Sequence, residues 1–315
     1  MSRIFAEDWA NESMARFVAI VAGGGSSVNP ASRIKRSRST REQVTARRNA
    51  LHLITEMMHP MTVRQVYYQA VVAGIVEKTE GGYDKIQNDL VVMRRNGDIP
   101  YGWLADNTRL QRKPRTWDSM ADAVLETARF YRKSLWTEAD AYVEVWLEKD
   151  ALSGVILPIT SMYDVPLMVA RGYASLSFLH SAAEYMEEVE KPVYVYHLGD
   201  FDPSGVNAGE KIEETLRELA PSAEIHFKRL AVWPSQIHQW DLPTRPTKTT
   251  DSRSKTFGDV SVELDAIRPD DLRALVEAAI QRHLPADQFR VLLEAERSER
   301  DALMKWAEHS FGGAA

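Results

Sequence analysis

An α/β fold with a mainly parallel sheet, preceded by a small helical module, is predicted from three observations. From about residue 138 onward, short apolar runs alternate with stretches of helical period, as strands joined by crossover helices do. Two of those runs end in carboxylates: Ala141 to Leu147 in Glu148, and Tyr194 to Leu198 in Gly199-Asp200-Phe201-Asp202. Residues 50–110 carry helix signals and no comparable strand signal. The expected division is a basic N-terminal arm over 1–49, a helical module over 50–110, a linker with a helix over 111–137, and the α/β domain over 138–315.

The arm is notable for its charge. The whole chain carries −6, but seven basic residues (Arg33, Lys35, Arg36, Arg38, Arg41, Arg47, Arg48) stand against Glu42 alone, a local +6. A basic arm on an acidic body suits a partner with phosphates, and equally a solvated arm. Ala22 to Ser27 is glycine-rich but lacks the Gly-Lys-Ser/Thr ending of a phosphate loop, so no nucleotide is assigned. No apolar run is long enough for a membrane span. The absence of cysteine excludes disulfides, zinc-thiolate sites and thiol catalysis. A cytoplasmic, nucleoid-associated protein is expected.

In the helical module, Thr62-Val63-Arg64-Gln65 is a capping box and Gly74 a stop signal. On a 3.6-residue repeat, Val63, Val66, Tyr67, Ala70 and Gly74 share the core face. Tyr68 falls off that face, beside its i−4 neighbour Arg64. An aromatic hydroxyl there is a candidate nucleophile; contact with a neighbouring helix is the other reading. A second helix from Tyr83 to about Arg95 turns Ile86, Leu90 and Met93 inward, leaving Lys85, Gln87, Asn88, Arg94 and Arg95 for DNA. Asp98 to Trp103 is read as a wing, which makes the module a winged helix. Residues 111–118 read as linker. Farther on, Arg245, Lys248 and Arg253 lie in a Thr/Ser/Pro-rich stretch, either an ordinary loop or a grip on a DNA backbone. Residues 270–308 are expected to be mostly helical.

The acids carry the chemistry. Asp-x-Asp on an extended backbone puts Asp200 and Asp202 on one side, at the carboxyl end of a strand where open α/β sheets place their sites. Carboxylates that close repel unless a cation separates them. With Glu148 from a second strand they make a three-acid site for a hard divalent ion, Mg²⁺ above all, with Mn²⁺ as a substitute. The alternative is that each acid caps the helix after it.

Leu147-Glu148-Lys149-Asp150-Ala151 and Gly199-Asp200-Phe201-Asp202-Pro203-Ser204-Gly205 resemble the two signature segments of toprim domains. The resemblance is nearest to the topoisomerase VI A subunit and its meiotic relatives. It implies Glu148, Asp200 and Asp202 as metal ligands. Arg64, Tyr67 and Tyr68 match the Arg-x-x-aromatic-Tyr helix of that family, which implies Tyr68 as nucleophile. An unperturbed tyrosine ionises near ~10, so Arg64 or another group has to assist. Trp233-Pro234-Ser235 through Asp241-Leu242-Pro243 also resembles a downstream family segment. Arg171-Gly172-Tyr173-Ala174-Ser175-Leu176 departs from the family by lacking a proline and an arginine.

The implied activity is Mg²⁺-dependent double-strand cleavage by tyrosine transesterification, in a compact stand-alone version fitting a bacterium or mobile element. The implied partners are double-stranded DNA, a second copy of the chain, and an ATPase B-type subunit. A hydrolytic nuclease, similar to the toprim subunit of Wadjet-type anti-plasmid systems, is one alternative. A non-catalytic DNA-binding protein is the other.

Overall fold

The computed structural model describes residues 39–105, 115–247 and 257–311. They fall into two compact units. One comprises the described residues up to Ala105 together with Asp265–Pro269; the other takes the remainder.

The first unit is helical. Helix α1 (Arg41–Met58) starts at a capping box in which the Thr40 hydroxyl accepts from Gln43 N. Helix α2 (Val63–Val72) starts at a second, Thr62 with Gln65, and Gly74 stops it with a φ of 69°. Helix α3 (Glu80–Asn96) is capped by Thr79 and closed by Gly97 in the left-handed region, φ 80°. Each cap satisfies amide groups that the first turn cannot. The three helices bury Leu51, Ile54, Val66, Ala70, Ile86, Leu90 and Met93 between them. The Thr62 hydroxyl also donates to Asp265 Oδ1 at 3.1 Å, which fastens the returning segment.

Three expectations for this unit are corrected. The basic segment does not stop at an arm ending near residue 49: Arg41, Arg47 and Arg48 lie on α1. Arg47 and Arg48 clamp the buried Asp89 of α3 through their Nε atoms, at 2.6 and 2.9 Å, so both neutralise an internal carboxylate. The stretch read as a wing forms a short 3-10 turn, Tyr101–Trp103, and a single parallel bridge of Leu104 with Met61. Arg33, Lys35, Arg36 and Arg38 lie outside the described residues.

The second unit opens with helix α4 (Met120–Phe130), then alternates. Strand β1 (Tyr142–Leu147), α5 (Ser153–Met162), β2 (Leu167–Val169), α6 (Leu176–Glu188), β3 (Val193–Leu198), α7 (Pro203–Leu219) and β4 (Ile225–Ala231) follow in order. Short α8 (Pro234–Gln239) precedes a two-residue antiparallel pair, β5 (Arg245–Pro246) with β6 (Val260–Ser261). Helices α9 (Pro269–Ile280) and α10 (Ala286–Phe311) end the chain, as the helical reading of 270–308 requires.

The four-stranded sheet is parallel throughout, in the order β2-β1-β3-β4. From β1 the chain moves one way to β2; from β3 it moves the other way to β4. The strand order therefore reverses between β1 and β3, which opens a crevice at their carboxyl ends. Right-handed crossovers put α6 and α7 on one face of such a sheet. That face holds a core of Trp146, Leu179, Met186, Val195, Ile212 and Leu216. Glu144 sits in the middle strand at 2% exposure. Its oxygens accept from Trp146 Nε1 at 2.6 Å and Tyr142 OH at 2.9 Å, the pairing a buried carboxylate needs. Among the described residues no helix is long and apolar enough to cross a membrane.

Replacing Asp89 by alanine leaves two guanidinium groups facing each other in the helical unit. A loss of about 3 kcal/mol is expected, since the remaining charges lose their partner inside the fold. Urea unfolding of Asp89→Ala against wild type measures it.

Candidate acidic site

Glu148 follows β1 and Asp200 follows β3, so the two strands bracketing the crevice each deliver an acid to it. Phe201 between the aspartates pairs with Val262 through N–H···O bonds of 2.8 and 2.9 Å, which holds that backbone extended. Successive side chains of extended chain point to opposite sides, so Asp200 and Asp202 share a side. Asp202 is also the N-cap of α7, accepting from Gly205 N at 2.8 Å. The capping reading is thus correct for Asp202, and it leaves Oδ2 for other partners. Asp200 Oδ1 accepts from Leu264 N at 2.8 Å, and Glu148 Oε2 accepts from Asp200 N at 2.9 Å.

Two glycines of the motif are required by this closeness. A Cβ at Gly199 would lie 2.7 Å from Glu148 Oε2, and one at Gly205 would lie 2.6 Å from the Asp200 carbonyl oxygen. Neither position has room for a side chain without moving the acids.

Four more residues complete the site, and three of them (Lys149, Arg229 and Glu263) were not singled out as site residues in the sequence. Glu263, 6% exposed, is a fourth carboxylate. Lys149 Nζ reaches Asp200 Oδ1 at 3.0 Å and Glu263 Oε2 at 3.4 Å. Arg245 reaches Asp202 Oδ2 and Glu263 Oε1, both at 3.0 Å. The result is an alternating chain, Asp200, Lys149, Glu263, Arg245, Asp202. Behind the acid loop Arg229 donates to the carbonyls of Gly199 (2.8 Å), Gly205 (3.3 Å) and Val232 (3.3 Å), and closely to that of Asp200. Four carboxylates face three cations, so negative charge remains in excess. Lys149 was legible as the neighbour of Glu148. Arg229 gave no distinct signal, because it follows His226 and Lys228 in a strand of mixed polarity. Glu263 carried none, because its place depends on the chain returning from a distant turn.

Burial, then the nearby Asp200 charge, pushes the Glu148 carboxyl up to about 7. The donor set is all oxygen, which fits a hard divalent ion. As the side chains lie, no group of three or more acids or histidines among the described residues is arranged to hold one. Lys149 and Arg245 already occupy the space between the carboxylates, so an entering ion has to displace them.

The other predicted residues are distributed as follows. Tyr68 is not off the core face: it is 4% exposed, little different from Tyr67 at 7%. The reason is that α2 is enclosed on most of its circumference, with six consecutive residues from Gln65 to Ala70 buried. Tyr67 OH donates to Thr79 O at 3.1 Å, a packing role as expected. The Arg64 guanidinium stands over the Tyr83 ring, 5.4 Å from its centroid, while Lys78 stands 5.5 Å from the centroid of Tyr68. Lys85 and Arg95 are exposed on α3. Arg94 is half-buried, lying over Tyr101 at 5.7 Å. Arg245 belongs to the acidic site and not to a DNA-gripping loop; the salt bridges to Asp202 and Glu263 hold it there. Lys248 and Arg253 lie outside the described residues.

No known family profile matches the chain, and no curated protein matches it either.

A group whose folded pKa is raised holds more protons when folded than when unfolded. Its contribution is present below the ordinary value of 4.5 and is lost as pH rises through about 7. Glu148→Gln removes that loss, so this variant is expected to melt at a higher temperature than wild type above pH ~7 and to show a flatter pH profile. Thermal melts across that range check it.

Proposed function

We propose that this chain is a divalent-metal-dependent DNA-cleaving enzyme, with a toprim-like acidic site in its sheet unit and a three-helix unit that carries Tyr68. The reading rests chiefly on one observation: adjacent parallel strands deliver Glu148, Asp200 and Asp202 to the crevice where the strand order reverses. A cluster so costly to assemble in an uncharged core is expected where it does chemistry. In this reading the three acids hold Mg²⁺, and Mn²⁺ substitutes for it. The bound ion would offset the charge that develops on a phosphodiester as it is attacked. The two aspartates supply carboxylate oxygens from either side of Phe201. Arg229 holds the carbonyls of their loop in place, and Glu263 receives Lys149 and Arg245 when they leave the aspartates.

Tyr68 is the proposed nucleophile. Its oxygen attacks phosphorus, the phenolic proton leaves, the bond to the 3′ oxygen breaks, and the protein stays on the 5′ end. Lys78 Nζ stands 5.5 Å from the centroid of its ring. The resemblance implies a homodimer in which one subunit's tyrosine serves its partner's acids. Lys85 and Arg95, exposed on α3, are available to a DNA backbone.

A second reading is favoured by the 4% exposure of Tyr68. A buried hydroxyl is poorly placed for attack, and water would then be the nucleophile at the same acids.

Supercoiled plasmid incubated with Mg²⁺ or Mn²⁺, stopped with detergent and resolved with and without protease, separates the two. The tyrosine reading expects protein-linked ends that vanish in both Tyr68→Phe and Asp200→Ala. Free ends that persist in Tyr68→Phe and vanish in Asp200→Ala establish hydrolysis. Equal cutting by Asp200→Ala and wild type contradicts both.

A further inference from the structure

Beside the acid loop, the sheet unit contains a cavity of about 420 Å³ that none of the chemistry above uses. Its size lies within the range of small-molecule sites. Aromatic side chains dominate its lining: Phe201, Phe227, Trp233 and Phe257, with Val206 and Gly209 filling in between them. Phe201 and Phe257 lean on each other with ring centroids 4.7 Å apart. Trp233 is 46% exposed, which leaves an aromatic face open to solvent at the rim.

The informative group is His197. It also lines the cavity, is 1% exposed, and neither of its ring nitrogens has a hydrogen-bond partner. Buried polar atoms are nearly always paired, so an orphaned imidazole calls for a reason. Packing alone does not supply one, because leucine or phenylalanine would fill a β3 position without the penalty. The ring is also given room. A Cβ at Gly209 would come within 3.0 Å of its Cε1, and one at Gly199 within 2.7 Å. Burial and the nearby Arg229 hold the imidazole neutral, with its pKa depressed to about 3. A neutral imidazole offers one donor and one acceptor.

The charged lining is balanced, Glu210 and Glu213 against Lys228 and Arg229, so it selects neither an anion nor a cation. Arg229 is committed to backbone carbonyls. What fits is an uncharged flat ring carrying its own donor and acceptor.

We propose that this cavity is a nucleobase pocket, in which a purine or pyrimidine stacks on the aromatic walls and pairs its polar edge with His197. Aromatic side chains accept any base face, and polar groups at depth then discriminate edges. A free nucleoside and a base on a polynucleotide strand share this chemistry of recognition. The inference stands apart from whether the acids cleave DNA.

The test titrates the full-length chain with the four deoxynucleosides, a short single-stranded DNA and an abasic strand of equal length, following binding calorimetrically. His197→Leu and Val206→Trp are run beside wild type. One site per chain is expected, with affinity falling at least tenfold in each variant. His197→Leu is expected to melt no lower than wild type, since it removes an unpaired polar group. Val206→Trp, which fills the cavity from a second direction, decides the matter should His197→Leu fail to fold. Stronger binding of the base-bearing strand than of nucleosides assigns the pocket to polynucleotide; equal binding assigns it to free nucleosides. Either result supports the pocket. Absence of nucleoside and strand binding by folded wild type overturns it. So does binding that the cavity-filling variant leaves unchanged, or a strand affinity indifferent to loss of its bases.

Discussion

Carboxylates brought together at the ends of adjacent parallel strands repel one another, and the sheet unit is organised around that repulsion. Glu148 and Asp200 are fixed there by the register of β1 on β3, and Asp202 by the extended backbone across Phe201. None can move away without unpairing a strand or losing the cap of α7. The fold answers with cations. Lys149 and Arg245 thread between the acids in front, and Arg229 lies behind the loop. The pKa of Glu148 is raised chiefly by its burial and next by the nearby Asp200 charge.

The same crowding dictates smaller features. Gly199 and Gly205 lack side chains because Glu148 and the Asp200 carbonyl fill the space a Cβ would take. Glu263, reached only after the β5–β6 pair, takes a share of both front cations. Each of the two front cations therefore bridges an aspartate and Glu263.

Much of this was legible in the chain. Alternating runs gave the parallel sheet, and the capping box at Thr62 and the stop at Gly74 marked a helix that forms where the signals stand, whereas the equivalent box at Thr40 lay inside the stretch read as an arm. Local signals of that kind act over three or four residues, so they survive without knowledge of the tertiary fold. What was lost is what distance controls. Tyr68 reads as off the core on a helical wheel, yet on a helix buried from Gln65 to Ala70 the position is enclosed. Arg47 and Arg48 read as bait for phosphate, yet the acid that claims them, Asp89, lies about forty residues on. Arg245 likewise looked like a loop residue until the fold set it against Asp202. A charged side chain shows its type in the sequence but not its partner.

The central claim is that the acids of the sheet unit form a divalent-cation site held in reserve by Lys149 and Arg245. Electron paramagnetic resonance of Mn²⁺ titrated into the purified chain addresses it without reference to DNA or to the nucleophile. The account expects one tightly held Mn²⁺ per chain, displaced by Mg²⁺ and lost in Asp200→Asn and in Asp202→Asn. A folded wild-type chain that leaves all Mn²⁺ free, or an ion that both substitutions leave bound, would mean that Lys149 and Arg245 are the permanent counterions and the cluster is structural.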